Sequence, residues 1–119
     1  CIRDSSKGLY EEAEKAYRTC LDRYGKDEVL AFAASYGIGT CLENLGKYEE
    51  AAEAYRKFAR RHPKSPLAPE ALWKAAWCLE QAGRLGEAKE VLREVLRQYP
   101  EATNRYKVRQ RLRTLEGLG

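Results

Sequence analysis

The feature that most restricts this chain is self-similarity. Gly8-Leu9-Tyr10-Glu11-Glu12-Ala13 returns as Gly46-Lys47-Tyr48-Glu49-Glu50-Ala51, then as Gly83-Arg84-Leu85-Gly86-Glu87-Ala88, at offsets of 38 and 37 residues. The register persists downstream: Tyr17, Tyr55 and Leu92 align, then Cys20, Phe58 and Val95, then Tyr24-Gly25, His62-Pro63 and Tyr99-Pro100. A period of this length marks one supersecondary unit stacked on its own copies, because a single unit cannot bury its apolar face alone. The fold to explain is an array.

Each unit reads as two helices. In the middle copy Tyr48, Ala51, Ala52, Tyr55, Phe58 and Ala59 recur at helical spacing, with Glu50, Glu53, Arg56, Lys57 and Arg60 on the other side. Gly46 and Gly83 stand where the preceding helix must end in a left-handed residue, and Gly8 takes the same place in the first copy. Pro63 and Pro100 close the following helix. Ser65 offers an N-cap, and Pro66 and Pro69 are tolerated only before a helix or in its first turn. The spacing predicts helices at 9–24, 28–45, 48–61, 67–82, 85–98 and 103–117 and no strand. The expected fold is all-α, a right-handed helical-repeat solenoid of about six antiparallel-paired helices. One domain is expected over 1–119: a partial repeat at 8–25, repeats at 28–63 and 67–100, and a capping helix at 103–117.

These residues resemble the tetratricopeptide repeat family. Gly39, Leu42, Gly46, Tyr48, Ala51, Tyr55 and Pro63 stand where that family places its small, apolar and closing residues, and the likeness covers roughly residues 8 to 100. The third repeat departs from the pattern with Ala76 for the first helix's glycine and Leu85 for the tyrosine of the turn. The resemblance implies a non-catalytic interaction module that takes a peptide or protein segment in a concave groove. The segment from His62 to Leu72 is similar to a narrower subgroup common in bacterial envelope proteins, including the Tol-Pal coordinator and the lipoprotein of the barrel-assembly machine. That likeness implies the periplasm or cell envelope over the cytoplasm.

Catalysis has little to stand on. The single histidine, His62, shares its repeat position with Tyr24 and Tyr99, which points to a turn or packing role. No Cys-x-x-Cys or His-Glu-x-x-His occurs, and Gly37-Ile38-Gly39 follows no strand and has Leu42 where a third glycine belongs. Cys41 and Cys78 hold equivalent positions in successive first helices, and Cys20 aligns with Phe58 and Val95, so all three read as buried free thiols. Glu11, Glu12, Glu14, Glu49, Glu50 and Glu53 gather where second helices begin and meet the positive end of the helix dipole. No enzyme activity, cofactor or metal is expected.

Net charge is +4, and residues 101–119 hold +3 of it through Arg105, Lys107, Arg109, Arg111 and Arg113 against Glu101 and Glu116. We read that run as the solvated face of a cap, with no nucleic acid partner expected. The longest apolar run, Val29 to Ala34, is far too short to span a bilayer. The chain starts at Cys1 and has no methionine, so the reading expects an upstream segment and a first helix lacking its partner. Ile2 and Arg3 run quickly into structure, which argues against a lipidated, tethered Cys1. The alternatives to a binding module are a structural or oligomerisation element that packs through the bare N-terminal edge, and an accessory helical domain of a larger enzyme.

One place departs from ordinary core logic. Trp73 and Trp77 lie four apart on a first helix whose core positions are already taken by Leu72, Ala75, Ala76 and Leu79. Tyr36 and Thr40 are their equivalents one repeat earlier, and in the family these positions line the groove. The expected partner-binding residues are Tyr36, Thr40, Glu43, Asn44, Glu70, Trp73, Trp77, Glu80 and Gln81. Glu43 and Glu80 at the rim are expected to favour segments carrying Lys or Arg.

Overall fold

The computed structural model describes residues 2–118, with side chains over 8–117. Six helices make up the described residues: α1 (Ile2–Tyr24), α2 (Glu28–Asn44), α3 (Tyr48–Arg61), α4 (Ala68–Gln81), α5 (Leu85–Gln98) and α6 (Arg105–Leu118). Consecutive helices pack on one another, and α2 also touches α4. The Cα envelope measures 41 × 34 × 17 Å, and the short dimension is that of two helix layers. This is the all-α helical-repeat fold that the period demanded.

The turns explain why the copies share a shape. Gly46 and Gly83 have φ of 78° and 80°, the left-handed region that only glycine enters without cost. Around Gly46 the Lys47 N–H reaches the Leu42 carbonyl at 2.8 Å and the Gly46 N–H reaches that of Glu43 at 3.0 Å. Around Gly83 the bonds Arg84 to Leu79 and Gly83 to Glu80 repeat the same distances. Two identical Schellman closures therefore reverse the chain after α2 and α4.

Gly8 breaks the expectation. The expected turn there is absent, and α1 runs without interruption from Ile2 to Tyr24. Among the described residues no helix packs back on α1 ahead of Gly8, and the helical ladder continues through it. Glu11, Glu12 and Glu14 consequently lie in mid-helix, away from a dipole end, whereas Glu49 and Glu50 do occupy the first turn of α3. Ser65 also differs from its expected N-cap role. Its hydroxyl accepts from the Leu67 N–H at 3.0 Å and donates to Glu28 at 2.7 Å, and α4 starts at Ala68 with no side-chain cap. The side-chain cap that the sequence reading missed is Asp27, which accepts from the Leu30 N–H at the start of α2.

Repeats are stapled at their closing residues. His62 Nε2 donates to the Gly25 carbonyl at 2.9 Å, and the hydroxyl of Tyr99, its equivalent, donates to the Pro63 carbonyl at 2.7 Å. His62 also stacks on Phe58, so its role is packing and turn closure.

The core follows the predicted registers. Ala51 and Ala88 are fully buried where helices meet, and Ile38, Leu42, Tyr55, Phe58, Leu72, Leu79 and Leu92 fill the space between. One exchange shows how tight it is: a Cβ on Gly39 would collide with the ring of Tyr55. In the next repeat the smaller Leu92 replaces the tyrosine, and the glycine position is Ala76. The two ends of the array differ. On α6 Val108, Leu112 and Leu115 are buried, while Arg109, Arg113 and Glu116 are exposed where α4 buries Leu72, Ala76 and Leu79. On α1, Tyr17 is 39% exposed where its equivalent Tyr55 is 1%.

Candidate functional site

First helices of successive repeats, α2 and α4, lie beside each other, and α6 continues the row through ion pairs to α4. Along this face the aromatic residues do not enter the core register, because the alanines and leucines one position away already fill it. Tyr36 and Trp77 are exposed at 43% and 38%, and Trp73 is half-buried against the core. Tyr36 leans edge-on to Tyr55 at 6.1 Å, and Trp77 meets Tyr48 edge-on at 6.0 Å. Such tilted geometry places positive ring edges on negative ring faces.

Lys74 sits at the centre of this cluster. Its ammonium lies 5.1 Å from the Trp77 ring centre, 5.6 Å from Tyr36 and 5.8 Å from Tyr55, and 3.6 Å from a Glu43 carboxylate oxygen. Glu43 also accepts a 2.6 Å hydrogen bond from the Tyr55 hydroxyl. Burial, with that bond to Glu43 next, holds the Tyr55 phenol well above its ordinary range.

One period further on, Glu80 takes the place of Glu43 and Arg111 that of Lys74. Arg111 grips Glu80 through two nitrogens, Nε lying 2.9 and 3.1 Å from the two carboxylate oxygens. These hydrogen bonds push the guanidinium's pKa upward. Lys107, one turn before Arg111, lies 4.8 Å over the Trp73 ring and 3.7 Å from Glu70. A cleft of about 360 Å³ is lined by Trp73, Ala76, Trp77, Glu80 and Arg111.

The structure thus gathers Tyr36, Glu43, Glu70, Trp73, Trp77 and Glu80 on one face. Thr40 is half-buried there, and its carbonyl accepts from the Asn44 side chain at 2.8 Å, which turns Asn44 back on its own helix. Gln81 is exposed at the end of α4. Glu43 and Glu80 do not form the open acidic rim expected from the sequence, because each is closed by a cation from the next first helix. Sequence reading missed those cations, Lys74, Lys107 and Arg111, and the flanking Tyr48 and Tyr55. The 37-residue offset that relates Glu43 to Glu80 also relates Lys74 to Arg111, so the signal was present.

Among the described residues no group of three His, Cys, Asp or Glu side chains is placed to hold a metal, and no helix is long and apolar enough to cross a membrane. Cys20, Cys41 and Cys78 are free thiols. Burial, then the nearby Glu43 carboxylate, pushes Cys78 up to about 12 from an ordinary 9.0, and burial raises Cys41 as well. Both should resist a disulfide reagent at about pH 8 in the folded protein and react on unfolding, while half-buried Cys20 labels before either of them. An unfolded chain releases the Cys78 proton near its ordinary value while the folded chain keeps it, so stability should fall as pH rises from about 9 toward 12. Rapid labelling of Cys78 at neutral pH would contradict this.

A comparison with curated proteins finds no match to this chain. A family model described as tetratricopeptide repeat matches twice, over residues 5–66 and 44–103. The overlapping matches span the same copies that the glycine and proline spacing delimits, and the chain belongs to the tetratricopeptide repeat family.

Proposed function

We propose that the face of α2, α4 and α6 binds a peptide or protein segment of a partner, within one unit over 1–119 that α6 caps. The family's general role in protein–protein interaction supports this reading. The observation that carries it is the cleft lined by Trp73 and Trp77, where large rings stand outside a core register that Leu72, Ala75, Ala76 and Leu79 already fill. Aromatic side chains with little entropy to lose are the usual anchors of such surfaces, and truncating one typically costs about 2 kcal/mol or more of affinity. We further propose a bacterial envelope assembly as the setting, on the likeness of residues 62–72 to that subgroup.

The test uses Trp77→Ala and Trp73→Ala. Partner capture should be lost in both, and melting should change little for Trp77→Ala, whose ring is 38% exposed. If both variants lose several kcal/mol of stability and still capture partners equally well, the rings serve the core and the proposal fails.

A second reading, self-association at α1, draws on the 39% exposure of Tyr17 beside exposed Leu9 and Tyr24. Light scattering across a concentration series separates the two readings, since self-association raises the mass with concentration.

A further inference from the structure

We propose that a hollow on the loop edge of the array takes an aromatic side chain from an uncharged segment of a partner polypeptide. The hollow holds about 370 Å³, and its walls include Pro66 and Pro69 at the start of α4 and Tyr99, Pro100 and Ala102 after the end of α5. No residue lines both this hollow and the tryptophan cleft, so the proposal goes beyond the binding reading above and does not depend on it.

The middle repeat shows what this corner ordinarily contains. There α2 starts at Glu28, whereas α4 starts at Ala68, although the 37-residue offset sets Glu28 opposite Ser65. Prolines account for the lost turn. A helix begun at Ser65 would carry Pro69 in its interior, where the missing N–H breaks a ladder bond, and Pro66 turns Ser65 itself away from helical geometry. Pro69 in turn stands where the middle repeat has Phe32, whose ring packs edge-on to Phe58 at 5.3 Å and tilted to Tyr36 at 5.9 Å. Val95 likewise replaces Phe58. The middle repeat also has a strap, the 2.7 Å hydrogen bond from Ser65 to Glu28, and one period later that pair becomes Ala102 and Ser65, with no hydroxyl on the alanine to donate. Ring and strap are both absent from the third repeat. A corner that a phenylalanine occupies in one copy suits a ring supplied from outside in the next, and the volume lies at the small end of ligand pockets.

Charge selects among the possible occupants. Lys64 and Glu101 at the rim are exposed, form no ion pair among the described residues and cancel each other, so a neutral segment meets no unmatched field. A second copy is disfavoured. The ring it would offer from this end is Tyr106, 72% exposed, but Arg105, Lys107 and Arg109 surround it and would be brought against the same cations of the first copy. A hollow sized for one side chain also falls far short of the roughly 800 Å² per copy that a stable dimer buries.

The experiment pans random peptides displayed on phage against the full chain and, in parallel, against Pro69→Phe, which gives the third repeat the ring that the middle one has. Peptides enriched on the first and lost on the second are synthesised and titrated against isotope-labelled chain by NMR. They should share a Phe, Tyr or Trp, carry no net charge, and move the amide signals of Lys64, Ser65, Gln98, Tyr99 and Glu101 while the two tryptophan indole signals stay in place. Alanine in place of the aromatic residue should weaken each peptide by about tenfold or more. Thr103→Arg, which lays a long side chain across the rim, should weaken them by about as much, and circular dichroism checks that both variants keep their helices. Affinity should change by less than about twofold between about 50 and about 200 mM salt. The absence of any peptide lost on Pro69→Phe overturns the proposal, as do peptides that lack an aromatic residue, depend steeply on salt, or bind Thr103→Arg unchanged. Peptides that move the indole signals instead belong to the tryptophan cleft; they overturn the hollow and leave the earlier reading standing. Movement of the same amides with protein concentration alone, abolished by Tyr106→Ser, makes a second copy the occupant and overturns the partner assignment.

Discussion

Tyr55→Ala should cost about 3–5 kcal/mol and lower the melting temperature by about 10 °C or more. Tyr55 is 1% exposed, its ring lies against Gly39 and edge-on to Tyr36, and its hydroxyl donates to Glu43. Truncation opens a cavity between α2 and α3 and leaves Glu43 with Lys74 as its remaining partner. Tyr55→Phe isolates the hydroxyl and should cost about 1.5–3 kcal/mol, the usual worth of a hydrogen bond to a charged group. The neighbouring repeat supplies a sharper test, since it solves the same contact with Leu92 and Ala76. Gly39→Ala alone should destabilise by about 1–3 kcal/mol through collision with the ring, although alanine is the better helix former. In a Tyr55→Leu background the same change should be neutral or stabilising. A double-mutant cycle by thermal melting measures this, and equal effects in both backgrounds would show that the two positions do not share a contact.

Deleting residues 103–119 should have the larger effect. The deletion removes buried Val108, Leu112 and Leu115, each worth about 1.5–3 kcal/mol of burial, and uncovers the side of α5 that α6 packs against. It also removes the hydrogen bond from Asn104 to the Pro69 carbonyl and the ion pair between Arg111 and Glu80. Aggregation at micromolar concentration, or loss of the cooperative melt, is the expected outcome. A soluble, monomeric truncation with unchanged melting would show that α5 needs no cover.

The residues on the face of α2 and α4 illustrate what local pattern carries and what it does not. That Trp77 stands 38% exposed outside the core register follows from the alanines and leucines beside it, whereas Trp73 packs half-buried against the core. That Glu43 and Glu80 are closed off does not, because their partners Lys74 and Arg111 sit 31 residues downstream on the next first helix. A carboxylate at a groove position reads as a rim charge until the neighbouring helix is placed against it.

The sequence by itself determined the array: the 37- and 38-residue offsets, the left-handed glycines at 46 and 83, the closing prolines and the alternation of small and large side chains. Those are local requirements of backbone and helix face, and each residue states its own. Tertiary structure alone decided that Gly8, in the same motif as Gly46, stays inside a helix, because a left-handed turn forms only where a second helix packs back on the first. It alone decided too that Arg111 stands above a Glu80 side chain only 6% exposed. Exposure belongs to pairs of side chains on different helices, and it is set by which of the two reaches past the other into water.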